Sequence, residues 1–544
     1  MGLQRAMRFG VIVCLLVVAV SLLAQHQPEH PELNEQQLGT VHFPTSCDPK
    51  VQKTFERGVA LLHSFAFETA EATFRQVAQE DPHCAMAHWG IATTFSRWAG
   101  PDEKQRKEGW TEIQTAESLH ARTARERAYI RAEAATYEHP EKDDKKRGDR
   151  YLKRMAKLYR DYPDDYEAAA FYALALEESD DDDPTHARRK QAAAILEKLF
   201  VIEPNHPGVA HYLIHTYDVP GMAELGLPAA RRYAQIAPAA PHALHMPSHI
   251  FARLGMWQED INSNLASIAA SRNASITHMG DEGHQYHAME FLVYAYLQSG
   301  REDEAKRVID GLKDLPKMKN MYGTDYDPNI SAQVEYSASY VTELHLWKDA
   351  VALPQITPND DGDTSLTFKA HALGAAHLGD LKRAEENLRS VKALHDTLVL
   401  KNQMRSAGAV EEDSKVITAW IDHVQGKNDE ALRLLQPIAQ KDGGLFATDG
   451  DTPAHEMMGD MLLDMRQPEK ALIEYEAELK VSPNRFNSLY GAGRAAELAN
   501  QPQKALAYYT QLVKVCAGGS SARPELVHAR EVAAAANRQS AATK

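Results

Sequence analysis

The chain has 544 residues, of which 25% are charged and 44% hydrophobic, so most of it can bury a core and it is not a disordered protein. This length exceeds that of a usual single-core domain and predicts either several domains or an array of repeats. The formal net charge of −16 argues against a nucleic-acid partner, because binding phosphates requires a basic surface.

The N-terminus carries the pattern of an export signal. Two arginines precede the apolar run from Phe9 to Ala24, and a polar segment follows. This order is typical of a secretory signal peptide, and the apolar run is short for a membrane span. We therefore predict an exported protein, periplasmic or secreted, that is cleaved after Ala24 and has no membrane segment beyond the signal. The alternative is an N-terminal membrane anchor, because Leu22 is a poor residue three positions before the cut.

Small residues, aromatic residues and prolines recur at fixed offsets in the rest of the chain. In the stretch from Val51 to Pro82, Gly58 and Ala70 lie where two helices of a hairpin would pack closely. Pro204 and Pro238 are 34 residues apart, and turn glycines mark further hairpins at Gly255, Gly300, Gly379 and Gly426. This period and punctuation resemble those of the tetratricopeptide repeat. The resemblance implies an all-α fold, an α-solenoid in which helical hairpins form a right-handed superhelix.

Three segments carry a finer resemblance: CAMAHWGIA, HPGVAHYLIHTYD and HALHMPSHIFARLG. They are similar to sequences in a poorly characterised group of exported bacterial tetratricopeptide proteins. The resemblance covers most of the mature chain and implies fold and compartment but no reaction. Generic repeats rarely carry histidine at these helix positions, so the partner rules of other members do not transfer.

The repeats and the segments between them predict a domain organisation. It consists of a signal peptide (1–24), an extended segment (25–50), N-terminal repeats (51–165), central histidine-rich repeats (166–314), C-terminal repeats (315–517), and a capping helix with a loose tail (518–544).

Three cysteines lie outside the signal: Cys47, Cys84 and Cys516. In an exported protein two of them can pair, and Cys47 with Cys84 is the better pairing because these residues bracket one helical repeat. Two buried free thiols are the alternative.

Histidines are concentrated in the central repeats, where nine of the 25 fall between His206 and His287. They occur on three successive helical patterns, at spacings that place each set on one helical face. The three sets are His211, His215 and Asp218; His242, His245 and His249; and His287, Glu290 and Tyr294. In the fold that the resemblance implies, these positions face the concave groove.

Neutral imidazole is a good ligand for zinc, copper and iron, and a carboxylate completes such a site or orients its histidines. The metal ligands that we predict are His211, His215, His245, His249, His287 and Glu290. The wider ligand groove is predicted to include Asp218, His242, Arg253 and Tyr294. The alternative is a groove in which histidine and tyrosine contact a partner without any metal.

Two functions follow from these patterns. The first is an exported interaction module that binds a peptide, protein or small ligand in its histidine-rich groove. The second is a metal-dependent enzyme in which Glu290 or Asp218 acts as ligand or base, with no catalytic residue assigned. The sequence contains no Gly-rich phosphate loop, no GxSxG and no HExxH, which disfavours phosphotransfer and serine hydrolysis.

Overall fold

The computed structural model describes residues 33–96, 102–138, 144–179, 183–277, 280–321, 327–356, 361–441 and 452–542. Within these ranges the regular structure is helical and contains no strand, so the predicted all-α fold of helical hairpins is confirmed. The predicted signal peptide lies outside the described residues. None of the described helices is both long enough and apolar enough to cross a bilayer.

The helices follow one another along the chain, and most of the described connections are short. The N-terminal helices are α1 (Glu35–Leu38), α2 (Gln52–His63), α3 (Phe67–Glu80), α4 (Ala85–Phe95), α5 (Glu103–Ser118), α6 (Ala124–Ala134), α7 (Asp144–Asp161), α8 (Tyr166–Glu178) and α9 (Ala187–Ile202). The central helices are α10 (Pro207–Tyr217), α11 (Ala223–Ile236), α12 (Pro241–His245), α13 (Pro247–Arg253), α14 (Trp257–Thr277), α15 (His284–Gln298), α16 (Glu302–Gly311) and α17 (Asn329–Glu343).

The C-terminal helices are α18 (Trp347–Ala352), α19 (Asp361–His377), α20 (Leu381–Leu400), α21 (Met404–Val424), α22 (Asn428–Ala439), α23 (Ala454–Asp464), α24 (Pro468–Val481), α25 (Phe486–Leu498), α26 (Pro502–Val515) and α27 (Pro524–Ala542). The predicted loose tail is wrong for most of its length, because α27 continues to Ala542. The residues after Asn537 include no glycine or proline to end the helix. The segment predicted as extended contains α1 and a 3₁₀ turn, Pro49–Val51.

Aromatic rings set the spacing between neighbouring helices. The Phe74 ring of α3 lies between Gly58 of α2 and Gly90 of α4, and a Cβ atom on either glycine would lie only 2.7 or 2.5 Å from it. Near the other end of the chain, Tyr475 lies in the same way between Gly459 and Gly491. The glycines therefore make room for a large ring from the second helix of a hairpin, between the first helix of that hairpin and the first helix of the next. This packing explains why glycines recur in the sequence.

Successive turns of the superhelix touch one another. The carboxylate of Asp281, in the loop before α15, accepts hydrogen bonds of 3.2 Å from the backbone N–H groups of Glu68 and Thr69 at the start of α3. Further along, the Trp257 indole donates to the backbone carbonyl of Asn484 at 3.0 Å, and the Asn484 amide donates to that of Gly255 at 3.2 Å. These contacts join segments that lie more than 200 residues apart in sequence.

A disulfide joins Cys47 to Cys84, with their Cα atoms 4.8 Å apart. It ties the segment before α2 to the N-terminal end of α4. Cys516 is a buried free thiol.

The contact between turns predicts unequal effects of two glycine substitutions. Gly255 and Gly426 both have positive φ, 62° and 79°, so alanine strains either one by about 1–2 kcal/mol. A Cβ on Gly255 would also lie 2.1 Å from the Pro483 carbonyl oxygen, whereas nothing lies within 4 Å of that position on Gly426. We expect Gly255→Ala to lower the urea unfolding midpoint clearly more than the control Gly426→Ala. Equal midpoints for the two variants would contradict the contact between turns.

Candidate functional site

Six histidines lie close together on the first helices of three neighbouring hairpins. These helices are α10, the pair α12 and α13, and α15. The six side chains form two groups, and within each group the ligand atoms lie within 4.8 Å of one another. We call His211, His215 and His242 the inner triad, and His245, His249 and His287 the outer triad. Together they are the histidine cluster.

The two triads differ in exposure and adjoin each other. His211 and His242 of the inner triad are buried, while the side chains of His249 and His287 in the outer triad are 12% and 28% exposed. The ring centroids of His215 and His249 are 6.2 Å apart, and those of His242 and His245 are 6.0 Å apart. The cluster is therefore continuous, with a closed inner end and an outer end that reaches solvent.

Ring nitrogens face one another inside each triad. The Nε2 atom of His211 lies 3.0 Å from that of His215 and 3.1 Å from that of His242. In the outer triad, the Nε2 atoms of His245 and His249 are 3.0 Å apart.

Four of the six imidazoles direct the opposite nitrogen, Nδ1, at a hydrogen-bond acceptor. The acceptors are the backbone carbonyl of His63 for His211 at 2.6 Å, the side-chain oxygen of Asn264 for His245 at 2.7 Å, Asp218 for His249 at 2.8 Å, and Glu290 for His287 at 3.1 Å. The Asn264 amide nitrogen donates to Asp260, which leaves the amide oxygen for His245. Such second partners fix the tautomer of histidines that bind metals.

This arrangement leaves lone pairs opposed. If the Nδ1 atoms of His245 and His249 carry the protons that their acceptors require, both Nε2 atoms are acceptors, and no proton lies between them. The Nε2 atom of His211 is likewise an acceptor, because its Nδ1 atom faces the His63 carbonyl. A cation shared by these nitrogens would turn the opposed lone pairs into ligands.

Burial keeps the imidazoles neutral. It lowers the pKa of His211 to about 3, against the opposing effect of its hydrogen bond to the His63 carbonyl. Burial and neighbouring imidazoles also place the pKa values of His215, His242 and His245 well below their ordinary value. Only the neutral ring can bind a metal, so these groups are ready as ligands at neutral pH.

A phenylalanine covers each triad. The Phe65 ring lies 4.4 Å from the His211 ring and stacks at 5.2 Å on His242, centroid to centroid. Phe291 lies 4.6 Å from His249 and 5.0 Å from His245. Phe65 occupies the turn between α2 and α3 with φ of 52°, a left-handed conformation that bulky residues rarely adopt.

Asp218 links the outer triad to Arg253. One carboxylate oxygen accepts from the Arg253 guanidinium at 2.9 Å, and the other faces His249. Burial would raise the pKa of Asp218, but Arg253 and His249 bring it below its ordinary value. Asp218 is therefore a charged group that orients His249 and is itself held by Arg253.

One more histidine borders the inner triad. His284 donates from Nε2 to the Phe65 carbonyl at 3.1 Å, and its ring centroid lies 5.1 Å from that of His242. Among the residues that the structure describes, the Nδ1 atoms of His284 and His242 are buried and have no hydrogen-bond partner.

The structure brings together the five histidines predicted as ligands, and His242 joins them within ligand distance. Glu290 is bound to the Nδ1 atom of His287, in the manner of an orienting group. Tyr294 lies outside the cluster, where its hydroxyl accepts from Arg485 at 3.0 Å. The cluster is also not lining an open groove, because the first hairpin covers it through Phe65.

Several residues of the site were missed from the sequence: His63, Phe65, Asn264, His284 and Phe291. The available signal for Phe65 was its place in a hairpin turn, where other hairpins have glycine. The other contacts span separations that helical periodicity does not report.

A second buried group, His63, Glu167 and His206, also has ligand atoms close together. Its hydrogen bonds are already complete. Glu167 bonds to His63 at 2.7 Å and to His206 at 3.0 Å, His63 also contacts the Tyr212 hydroxyl at 2.8 Å, and His206 accepts from the backbone of Val209 at 3.2 Å. We therefore assign this group a structural role, supporting the His63 carbonyl that orients His211.

The comparisons with known proteins add little. No family model and no curated protein matches the chain. Among solved structures, it is similar to the human IFIT1 dimer with m7Gppp-AAAA, at 13% identity over 89% of this chain and 98% of that one, with a TM-score of 0.36. It is also similar to the APC/C hetero-tetramer Cut9–Hcn1, at 11% identity over 88% and 90%, with a TM-score of 0.30. Similarities at this level carry no argument about function. The fold itself places the chain among the all-α helical repeat proteins.

The buried group around Glu167 predicts a pH-dependent loss of stability. Burial alone would raise the pKa of Glu167, but His206 and His63 hold it well below its ordinary value. A lowered carboxyl pKa stabilises the fold above the ordinary value of about 4.3, and this contribution is lost as the pH falls further. We expect Glu167→Gln to lower the free energy of unfolding at pH 7 by about 1–3 kcal/mol, with a smaller difference from wild type at pH 3.5. A difference that is the same at both pH values would contradict the assignment.

Proposed function

We propose that this chain is an exported helical repeat protein whose central repeats bind a transition metal ion, zinc, copper or iron, in the histidine cluster. The observation that carries the proposal is that imidazole Nε2 atoms meet at 3.0 and 3.1 Å in both triads, while the Nδ1 atoms of His211, His245 and His249 face acceptors. Packing alone does not require nitrogens of neutral rings to meet in this way.

The donor set favours metals that imidazole binds well. Six imidazoles supply the nitrogens, and the nearby carboxylates, Asp218 and Glu290, are bound to Nδ1 atoms. Magnesium and calcium prefer oxygen ligands, whereas zinc, copper and iron accept imidazole. The carboxylates act as orienting partners of the kind that surround metal-bound histidines.

A metal ion can reach the cluster from the outer triad. His287 and His249 are partly exposed, and His215 of the inner triad is half-buried, so each triad has a ligand that reaches solvent. The Phe65 end is closed by the first hairpin.

Export is part of the proposal, and the disulfide supports it. Disulfides persist in oxidising compartments and are rare in the cytosol. The Cys47–Cys84 bridge therefore fits the predicted signal peptide.

A peptide or protein ligand in the histidine-rich face is less favoured. Such a ligand would need the imidazoles accessible along the helices, and His211, His242 and His245 are each at most 3% exposed. A small ligand reaching the outer triad fits the exposure better.

Metal binding is tested by titrating metal-stripped protein with zinc or copper in a calorimeter. We expect wild type to bind and the double variant His245→Ala, His249→Ala to bind more than about 100-fold more weakly, because it loses two ligands of the outer triad. The control is His88→Ala, His455→Ala, which removes two histidines that the structure places separately against Glu112 and Glu474.

Circular dichroism of each variant checks that the helices remain. If wild type and the His245, His249 double variant take up metal equally, the proposal fails.

A further inference from the structure

We propose that the histidine cluster holds two copper ions, one in each triad, and that the reduced pair transfers two electrons to dioxygen. This inference rests on the proposed metal binding and goes beyond it in the number of ions, their identity and their reaction.

The cluster is built as two sites. Each triad has its own three imidazoles, its own covering phenylalanine and its own orienting groups. The inner triad has Phe65 and the His63 carbonyl, and the outer triad has Phe291, Asn264, Asp218 and Glu290. A single ion would satisfy one triad and leave the nitrogens of the other facing one another.

The charge around the cluster favours copper. Six neutral imidazoles add no negative charge, and the two nearby carboxylates already have partners, Arg253 for Asp218 and His287 for Glu290. Two divalent ions would place a charge of +4 in this largely buried space, where uncompensated charge is costly. Two Cu(I) ions would place +2 there, and Cu(I) is satisfied by three imidazole ligands.

The two triads lie next to each other. The facing rings of His215 and His249 lie 6.2 Å apart and those of His242 and His245 lie 6.0 Å apart, so ions bound to the two triads would both be within reach of one diatomic molecule. The phenylalanine covers make the surroundings apolar, which favours an uncharged ligand.

The reaction balances without a further reactant. Each Cu(I) gives up one electron and becomes Cu(II), and dioxygen accepts both electrons to reach the peroxide level with its O–O bond intact. The total charge of the copper ions and the oxygen ligand is +2 before and after the transfer. The cluster therefore needs no additional carboxylate to accommodate the oxidised state.

The stoichiometry is measured by anaerobic titration of metal-stripped full-length protein with Cu(I) in competition with a chromogenic chelator. We expect two tightly bound ions for wild type and one for either His215→Ala or His287→Ala, each of which removes a partly exposed ligand from a different triad. The control His88→Ala should keep two, and circular dichroism should show all variants folded.

Exposing the loaded wild type to dioxygen then tests the reaction. We expect uptake of one dioxygen molecule per two copper ions, and loss of this uptake in His215→Ala and His287→Ala. One copper ion per wild-type chain, or two ions without dioxygen uptake, would overturn the inference. Both of these results are measured on wild type, so they do not depend on whether a variant folds.

A zinc titration on the same preparation separates the two proposals. Binding of zinc without a copper pair would overturn only this inference. If neither zinc nor copper binds, the proposed function fails as well.

Discussion

The site depends on the burial of neutral imidazoles whose ring nitrogens meet within each triad. Six such rings can meet only because three first helices lie side by side, with small residues and inserted rings setting their spacing. Where an Nδ1 atom has an acceptor, that hydrogen bond restricts the ring from turning away or exchanging tautomers. His211, His245 and His249 are held in this way by a backbone carbonyl, an amide and a carboxylate. The result is a set of nitrogens arranged for a cation.

Closure of the superhelix gives the cluster its environment. Asp281 caps α3 from more than 200 residues away in sequence, and His284, three residues later, bonds to the Phe65 carbonyl. These contacts bring the first hairpin over the inner triad, place Phe65 on its rings and exclude water from them. The same burial lowers the histidine pKa values. The contacts that cover the cluster therefore also keep its imidazoles neutral, which is the form that can bind a metal.

Helical periodicity was enough to predict the hairpins and the common face of His211 and His215, because both follow from local spacing. The 34-residue period likewise placed the three helices next to each other. What the sequence did not reveal was the closed groove, the role of the His63 carbonyl, and the partnership of Asn264 with His245. These three features depend on contacts between segments far apart in sequence, or on which atom of a side chain faces inward. The spacing of residues along one helix does not reveal either.

Metal binding by the histidine cluster is best tested with crystals of the zinc- or copper-loaded protein, measured at the absorption edge of the metal. We expect anomalous peaks at ligand distance, about 2.0–2.1 Å, from Nε2 atoms of the histidine cluster, with the Nδ1 contacts to the His63 carbonyl, Asn264 and Asp218 retained. Peaks confined to surface carboxylates, with the six imidazoles unchanged and unliganded, would contradict it.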